Sequence, residues 1–227
     1  MAKVSLAEHM HERPEDEQSE ALDAGPYITV SREYGCWGFS LGLLLLDILN
    51  EQAPKGKAWH IYHKEILDKL AGETDMAPDM LEDQRKRKPR AFVDFFRSIG
   101  GKKLPSGFAI RNRITTIIRS IAIDGYAIVV GQGGAGATHD LLNGLSIRLE
   151  APIDWRVKQI AFREGLSETE ARLRIQAKTK DRDYIRKIYQ TRFPRKPAFN
   201  LVYDCSVLSL AQIAQHVVYA MKLKGYV

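Results

Sequence analysis

The stretch TVSREYGCWGFSLG, Thr29 to Gly42, constrains the fold of this chain more than any other segment. It follows YITVS (Tyr27 to Ser31), whose β-branched content reads as a strand. It runs into LGLLLLDIL (Leu41 to Leu49), an apolar stretch interrupted by Asp47 that predicts a buried helix over Ser40 to Asn50. A glycine-containing turn between a strand and a helix is where a nucleotide-binding protein keeps its phosphate loop. Small residues let backbone N–H groups close around phosphate oxygens, and the helix N-terminus supplies a positive field. Gly35 and Gly38 suit such a loop. The ordinary pattern adds a lysine to bridge the outer phosphates and a Ser or Thr to hold Mg2+. This loop has no lysine, and Trp37 and Phe39 stand where small or charged residues belong. Ser40 reaches a metal only if the loop is shifted by one residue. The same residues also read as a plain strand, turn and helix.

Further along, strands and helices alternate. AWHIY (Ala58 to Tyr62) predicts a short strand, with a helix over His63 to Ala71. Ile110, Ile114, Ile117, Ile118 and Ile121 recur at helical spacing within Phe108 to Ile123. YAIVV (Tyr126 to Val130) predicts a buried strand ending in a glycine-rich turn, and Leu145 to Leu149 another. Asp154 is the expected cap of a helix that Gly165 stops. Ser167 and Glu170 form a capping box that opens the next helix, running toward Tyr189. Asn200 to Asp204 predicts a last strand. Ser209 and Gln212 cap a C-terminal helix with Ile213, Val217, Val218 and Met221 on one side. This alternation predicts an α/β fold with a mostly parallel sheet, whose ligands bind at the C-terminal ends of the strands.

Net charge is +6, but residues 1–25 hold seven acids and two bases, so the remainder carries about +11. That excess suits anionic ligands and equally describes a solvated basic surface. The segment 1–25 is polar and aperiodic and reads as a disordered acidic leader. The apolar run at Leu41 falls far short of the about 20 residues a membrane span needs, and no secretory signal is visible. Two cysteines, Cys36 and Cys205, make no disulfide framework, so a cytoplasmic location is the default. No His, Cys or carboxylate set has metal-site spacing, and no Ser-His-Asp constellation can be argued. Cys36 at a helix N-terminus is the place for a reactive thiolate or simply a small loop residue.

Five segments in order, ITVSREYG, YHKEIL, AIVVGQG, APIDWRVKQIAFREGLSETEA and NLVYDCSVLSL, resemble the cytidylate kinase-like family. The corresponding family motifs read close to ITISREYGSGGREIA, FYDKEI, VIVGRGA, APLEDRVERIMEREGLSEEEA and YDLVLNTSRLS. The resemblance covers about residues 27–215, thinly between 73 and 110. It implies a P-loop NTPase-like, three-layer α/β/α fold over residues 26–227, with a helical acceptor-side insertion at about 73–107 and a lid at about 163–198. It implies ATP and Mg2+ as phosphoryl donor and a pyrimidine monophosphate, CMP or dCMP, as acceptor. Phosphoryl transfer of that kind rests on positioning and on neutralising negative charge, so arginines and a water-excluding lid are expected.

Carried over residue by residue, the resemblance makes Ser31, Arg32, Glu33, Tyr34, Gly35, Cys36, Trp37, Gly38, Phe39 and Ser40 the phosphate loop. Trp37 replaces the family's middle glycine, Phe39 the arginine after its last glycine, and Cys36 a serine. On the acceptor side lie His63, where the family has Asp, together with Arg111, Gly131 and Gln132, the last replacing an arginine. Arg111 and Arg119 lie eight apart on the helix before the Gln132 loop, a spacing that would let both face the acceptor. Arg163 and Arg182 match lid positions and are the candidates for catalytic phosphate contact, since guanidinium presents fixed bidentate donors. Arg156 also matches a family position. A basic solvated helix explains Arg182 as well, because Lys178, Lys180, Arg186 and Lys187 crowd it.

Three other readings stay open. The altered loop fits a pseudokinase that binds a nucleotide or a partner without turnover. Gly131 to Gly136 is a GxGxxG after a strand, with Glu150 ending another, as in a dinucleotide fold; its mid-chain position and weak following helix oppose NAD. The run RKRKPR (Arg85 to Arg90) beside Phe92, Phe95 and Phe96 resembles a nucleic-acid patch, although such runs are more often solvated. The same phenylalanines leave room for a homodimer.

Overall fold

The computed structural model describes residues 25–64, 106–131, 133–192 and 199–227, and of residues 106–113 and 181–192 the backbone alone. The expected leader, most of the insertion (73–105), the helix expected after Lys64 and the lid segment 193–198 lie outside the described residues. In chain order the elements are β1 (Tyr27–Arg32), α1 (Gly38–Glu51), β2 (His60–Tyr62), α2 (Ser106–Asp124), β3 (Ala127–Val130) and α3 (Gly134–Ala137). There follow β4 (Gly144–Glu150), α4 (Ile153–Glu164), α5 (Glu168–Arg192), β5 (Leu201–Asp204) and α6 (Leu210–Leu223).

The five strands form one parallel sheet in the order β2-β3-β1-β4-β5. β1 is central, with Val30 opposite both Val130 and Ile147. Side chains alternate across a strand, so β1 feeds two cores. Ile28 and Val30 join Ile128, Val130, Ile147 and Leu149 beneath α1 and α6, where Leu41, Leu45, Leu49, Ile213, Val217 and Met221 are buried. On the other face Val129 packs with Ile114, Ile117 and Ile118 of α2, and Tyr27 packs with Ala122 and Ala127. This is the expected three-layer α/β/α architecture. No helix among the described residues is long and apolar enough to cross a membrane.

Several boundaries differ from expectation for local reasons. α1 begins at Gly38, two residues before the expected start, because Trp37 takes the N-cap with φ 43 and ψ 40. β2 loses Ala58 and Trp59. Asn50 accepts a hydrogen bond from the Trp59 N–H at 2.8 Å and donates to its carbonyl at 3.2 Å, which removes both groups from the ladder. Asp154 does not cap α4: Pro152 is the N-cap, and Asp154 sits in the first turn paired with Arg172 at 2.6 Å. Gly165 ends α4 in the left-handed conformation, and both capping boxes form as read.

Leu45 is fully buried under α1 while Leu43 on the same helix is 41% exposed. Leu45→Ala is expected to lower the free energy of unfolding by about 2–5 kcal/mol. Leu43→Ala should stay within about 0.5 kcal/mol. Urea denaturation of both variants checks this; equal losses would contradict the assigned helix face.

Candidate functional site

The loop Glu33–Trp37 leaves the C-terminal end of the central strand and enters α1. Two left-handed residues shape it, Gly35 at φ 100 and Trp37 at φ 43. Glycine adopts that region freely, whereas a residue with a Cβ is strained there. No side chain caps α1, and its first turn holds no acid. The first N–H groups of a 14-residue helix and the positive end of its dipole therefore face the loop, an arrangement that favours an anion.

The loop is tied down residue by residue. The Glu33 carboxylate accepts from Ala151 N at 3.2 Å and lies 3.3 Å from Arg156 Nε. Arg156 Nε donates to the Ala151 carbonyl at 2.9 Å, and its Nη1 lies 3.5 Å from the Tyr34 carbonyl. The Tyr34 hydroxyl donates to Glu164 at 2.7 Å, and Arg174 pairs with the same carboxylate at 2.7 Å. Burial and the bond to Glu164 push the Tyr34 phenol up. The Trp37 indole packs with Val157, Ile160, Ala171 and Ile175 between α4 and α5. Arg163, in the last turn of α4, stacks on that indole at 4.2 Å.

Of the two readings of Cys36, the small loop residue is the one that stands. It is fully buried, and its thiol donates to the sulfur of Cys205, just beyond β5. That hydrogen bond, then burial, push the Cys36 thiol up, so it is no reactive thiolate. Ser31 is likewise engaged, accepting from Arg148 Nη1 at 3.0 Å.

Phe39 meets His63 edge to face, with centroids 4.9 Å apart. Both residues depart from the family motif, and they touch. Ser40 is half-buried in the first turn of α1. Gly131 follows β3 with φ 81, against Arg32. Arg119, expected to face the acceptor, instead hydrogen-bonds the Ala137 carbonyl at 2.7 Å and Asp140 at 2.9 Å, which ties α2 to the turn after α3. Gln132 and the side chains of Arg111 and Arg182 lie outside what the structure describes. The glycine run opens only the four-residue α3, and β4 pairs with β1 rather than β3. Glu150 pairs with Arg148 at 2.8 Å. None of this is a dinucleotide crossover.

Sequence reasoning did not find the Glu33–Arg156 and Tyr34–Glu164–Arg174 ties, or the Cys36–Cys205 contact. The match of Arg156 to a family position was the one available signal.

A parallel sheet in this order, with a glycine loop running from its central strand into an uncapped buried helix, is a phosphate-loop α/β/α fold. The chain belongs to the cytidylate kinase-like family, whose profile matches residues 27–207. No curated protein matches the sequence closely enough to count as a relative. Among solved structures, an uncharacterized protein from Eubacterium ventriosum ATCC 27560 aligns with a TM-score of 0.62 at 19% identity, covering 87% of this chain and 98% of its own. Two shikimate kinases, from Bacteroides thetaiotaomicron and, in complex with shikimate, from Acinetobacter baumannii, align at TM-scores of 0.44 and 0.45 with 12% identity. They cover 86% and 90% of this chain and 98% and 97% of their own.

Two outcomes follow from the loop. Native protein should resist maleimide at Cys36 and react there after unfolding, as read by peptide mass mapping; rapid native labelling would contradict the buried thiol pair. Trp37→Gly relieves backbone strain of about 1–2 kcal/mol. It also removes an indole whose loss from a full core costs about 3–5 kcal/mol. Packing should win by about 1–4 kcal/mol, read as a lowered urea midpoint; a stabilised variant would show that strain dominates.

Proposed function

We propose that this chain is a phosphotransferase that moves a phosphoryl group from ATP, bound with Mg2+, to a pyrimidine nucleoside monophosphate of the CMP or dCMP type. One observation carries the reading. The loop into α1 keeps its two left-handed turns and delivers an uncapped helix N-terminus although a tryptophan has replaced one glycine. A merely decaying loop has no reason to keep a strained conformation.

The donor set fits a triphosphate. Backbone N–H groups at Gly38 to Ser40 would hold phosphate oxygens, and Arg163 and Arg182 would come to them from the lid. Among the described residues no group of three or more His, Cys, Asp or Glu could hold a metal ion by itself. Mg2+ suits such a site because it keeps several waters and is held largely by substrate phosphates. When bound, it would neutralise charge on the transferring group. The protein's own part is to align donor and acceptor and to exclude water. Gly131 and Gln132 after β3 and the Phe39–His63 pair would flank the acceptor.

A second reading rests on Phe39, His63 and Gln132, which replace charged residues of the family motifs. It is a pseudokinase that binds a nucleotide or a partner without turnover. A coupled ADP-release assay over CMP, dCMP, UMP and AMP, with and without Mg2+, separates the two. The kinase reading expects Mg2+-dependent turnover with a pyrimidine monophosphate. It also expects Arg163→Ala and Arg182→Ala to lower kcat by about 10²-fold or more at unchanged melting temperature. Nucleotide binding with no turnover on any acceptor would favour the pseudokinase. Full activity in both arginine variants would overturn the lid assignment.

A further inference from the structure

A phosphoryl group in transit needs a cation beside it. This loop offers neither the ordinary lysine nor, at Phe39, the family's arginine. Between Ser31 and Gly42 the basic residue is Arg32, which stands at the end of β1 before the loop begins. Its stem lies on the first residue of α1: a Cβ built at Gly38 would come 3.0 Å from Arg32 Cγ and Cδ. Its guanidinium ends over the first residue after β3. A Cβ at Gly131 would collide with Nη1 and lie 2.7 Å from Cζ and 3.1 Å from Nη2. The charge therefore stands at the loop leaving β3, carried there by a stem that crosses the N-terminus of α1. Those are the places that the proposed reaction gives to donor and acceptor.

We infer that Arg32 supplies, from the strand that precedes the loop, the cationic bridge between donor and acceptor phosphates that an ordinary phosphate loop takes from a lysine on its helix. The inference rests on the phosphotransferase reading above. Arginine suits the task because its planar fork stays charged and takes two phosphate oxygens at once. Gly131 belongs to the same device: the missing Cβ is the space the guanidinium occupies, and its positive φ independently favours glycine. Arg32 thus enters the site across two glycines, one on each side of it.

The test is isothermal titration of the full chain with Mg2+-tripolyphosphate and Mg2+-ATP, with melting temperature as a folding control. Arg32→Gln should weaken both by about 10- to 100-fold. Arg32→Lys should fall between it and wild type. Gly131→Ala, which keeps the charge but displaces it, should weaken both ligands as Arg32→Gln does. Arg172→Gln, an exposed control paired with Asp154, should bind like wild type. If wild type binds and either Arg32→Gln or a folded Gly131→Ala binds equally well, the inference falls while the phosphotransferase reading stands. A wild-type chain that binds neither ligand overturns both. Should Arg32→Gln fail to fold, Arg32→Lys and Gly131→Ala carry the decision by the same criteria.

Discussion

Arg156 is the residue on which the geometry of the phosphate loop depends. Its side chain is nearly buried, and a buried guanidinium must find partners or unsettle the fold. It finds them in the Ala151 carbonyl and the Glu33 carboxylate, while Ala151 N donates back to Glu33. The turn before α4 and the start of the loop are thereby one hydrogen-bonded unit. The same arginine explains the first loop glycine. A Cβ at Gly35 would lie 3.0 Å from Arg156 Cβ, and the backbone there is left-handed besides. Close approach and positive φ are separate demands that one residue type meets.

Seen from that anchor, the departures from the family motif are accommodated substitutions. Trp37 keeps the left-handed backbone a glycine would supply, and the α4–α5 hairpin receives its indole. Phe39 and His63 stand where the family pattern has an arginine and an aspartate, and they meet as a ring pair. Tyr34 and its bond to Glu164 complete the attachment of the loop to the hairpin.

What could be read in the sequence was what is local. The capping boxes at Ser167 and Ser209, the glycine stop at Gly165 and the strand alternation are each written within a few residues and stand in the structure. Boundaries failed where a distant group intervened: Asn50 captures Trp59 and shortens β2, and Pro152 takes the cap that Asp154 was expected to provide. In the site, sequence could nominate the loop and the lid arginines but could not say what each side chain touches. Arg119 looked like an acceptor-facing arginine by spacing, yet Asp140 and the Ala137 carbonyl hold it. Cys36 read as a reactive thiolate or a small loop residue; its partner is a cysteine 169 positions away. Long-range partners of that kind leave no periodicity to detect.

The stack of Arg163 on Trp37 has an optical consequence. The chain contains three tryptophans; Trp59 is sealed in the core, and Trp155 packs beside that same core. Among the described residues Trp37 is the tryptophan that carries a cation on its ring, at the seam between loop and hairpin. Its emission is sensitive to that charge, so withdrawal of Arg163 toward a phosphate would register as a change in intrinsic fluorescence. The residue that makes the loop look disabled in the sequence would thereby report on the position of Arg163.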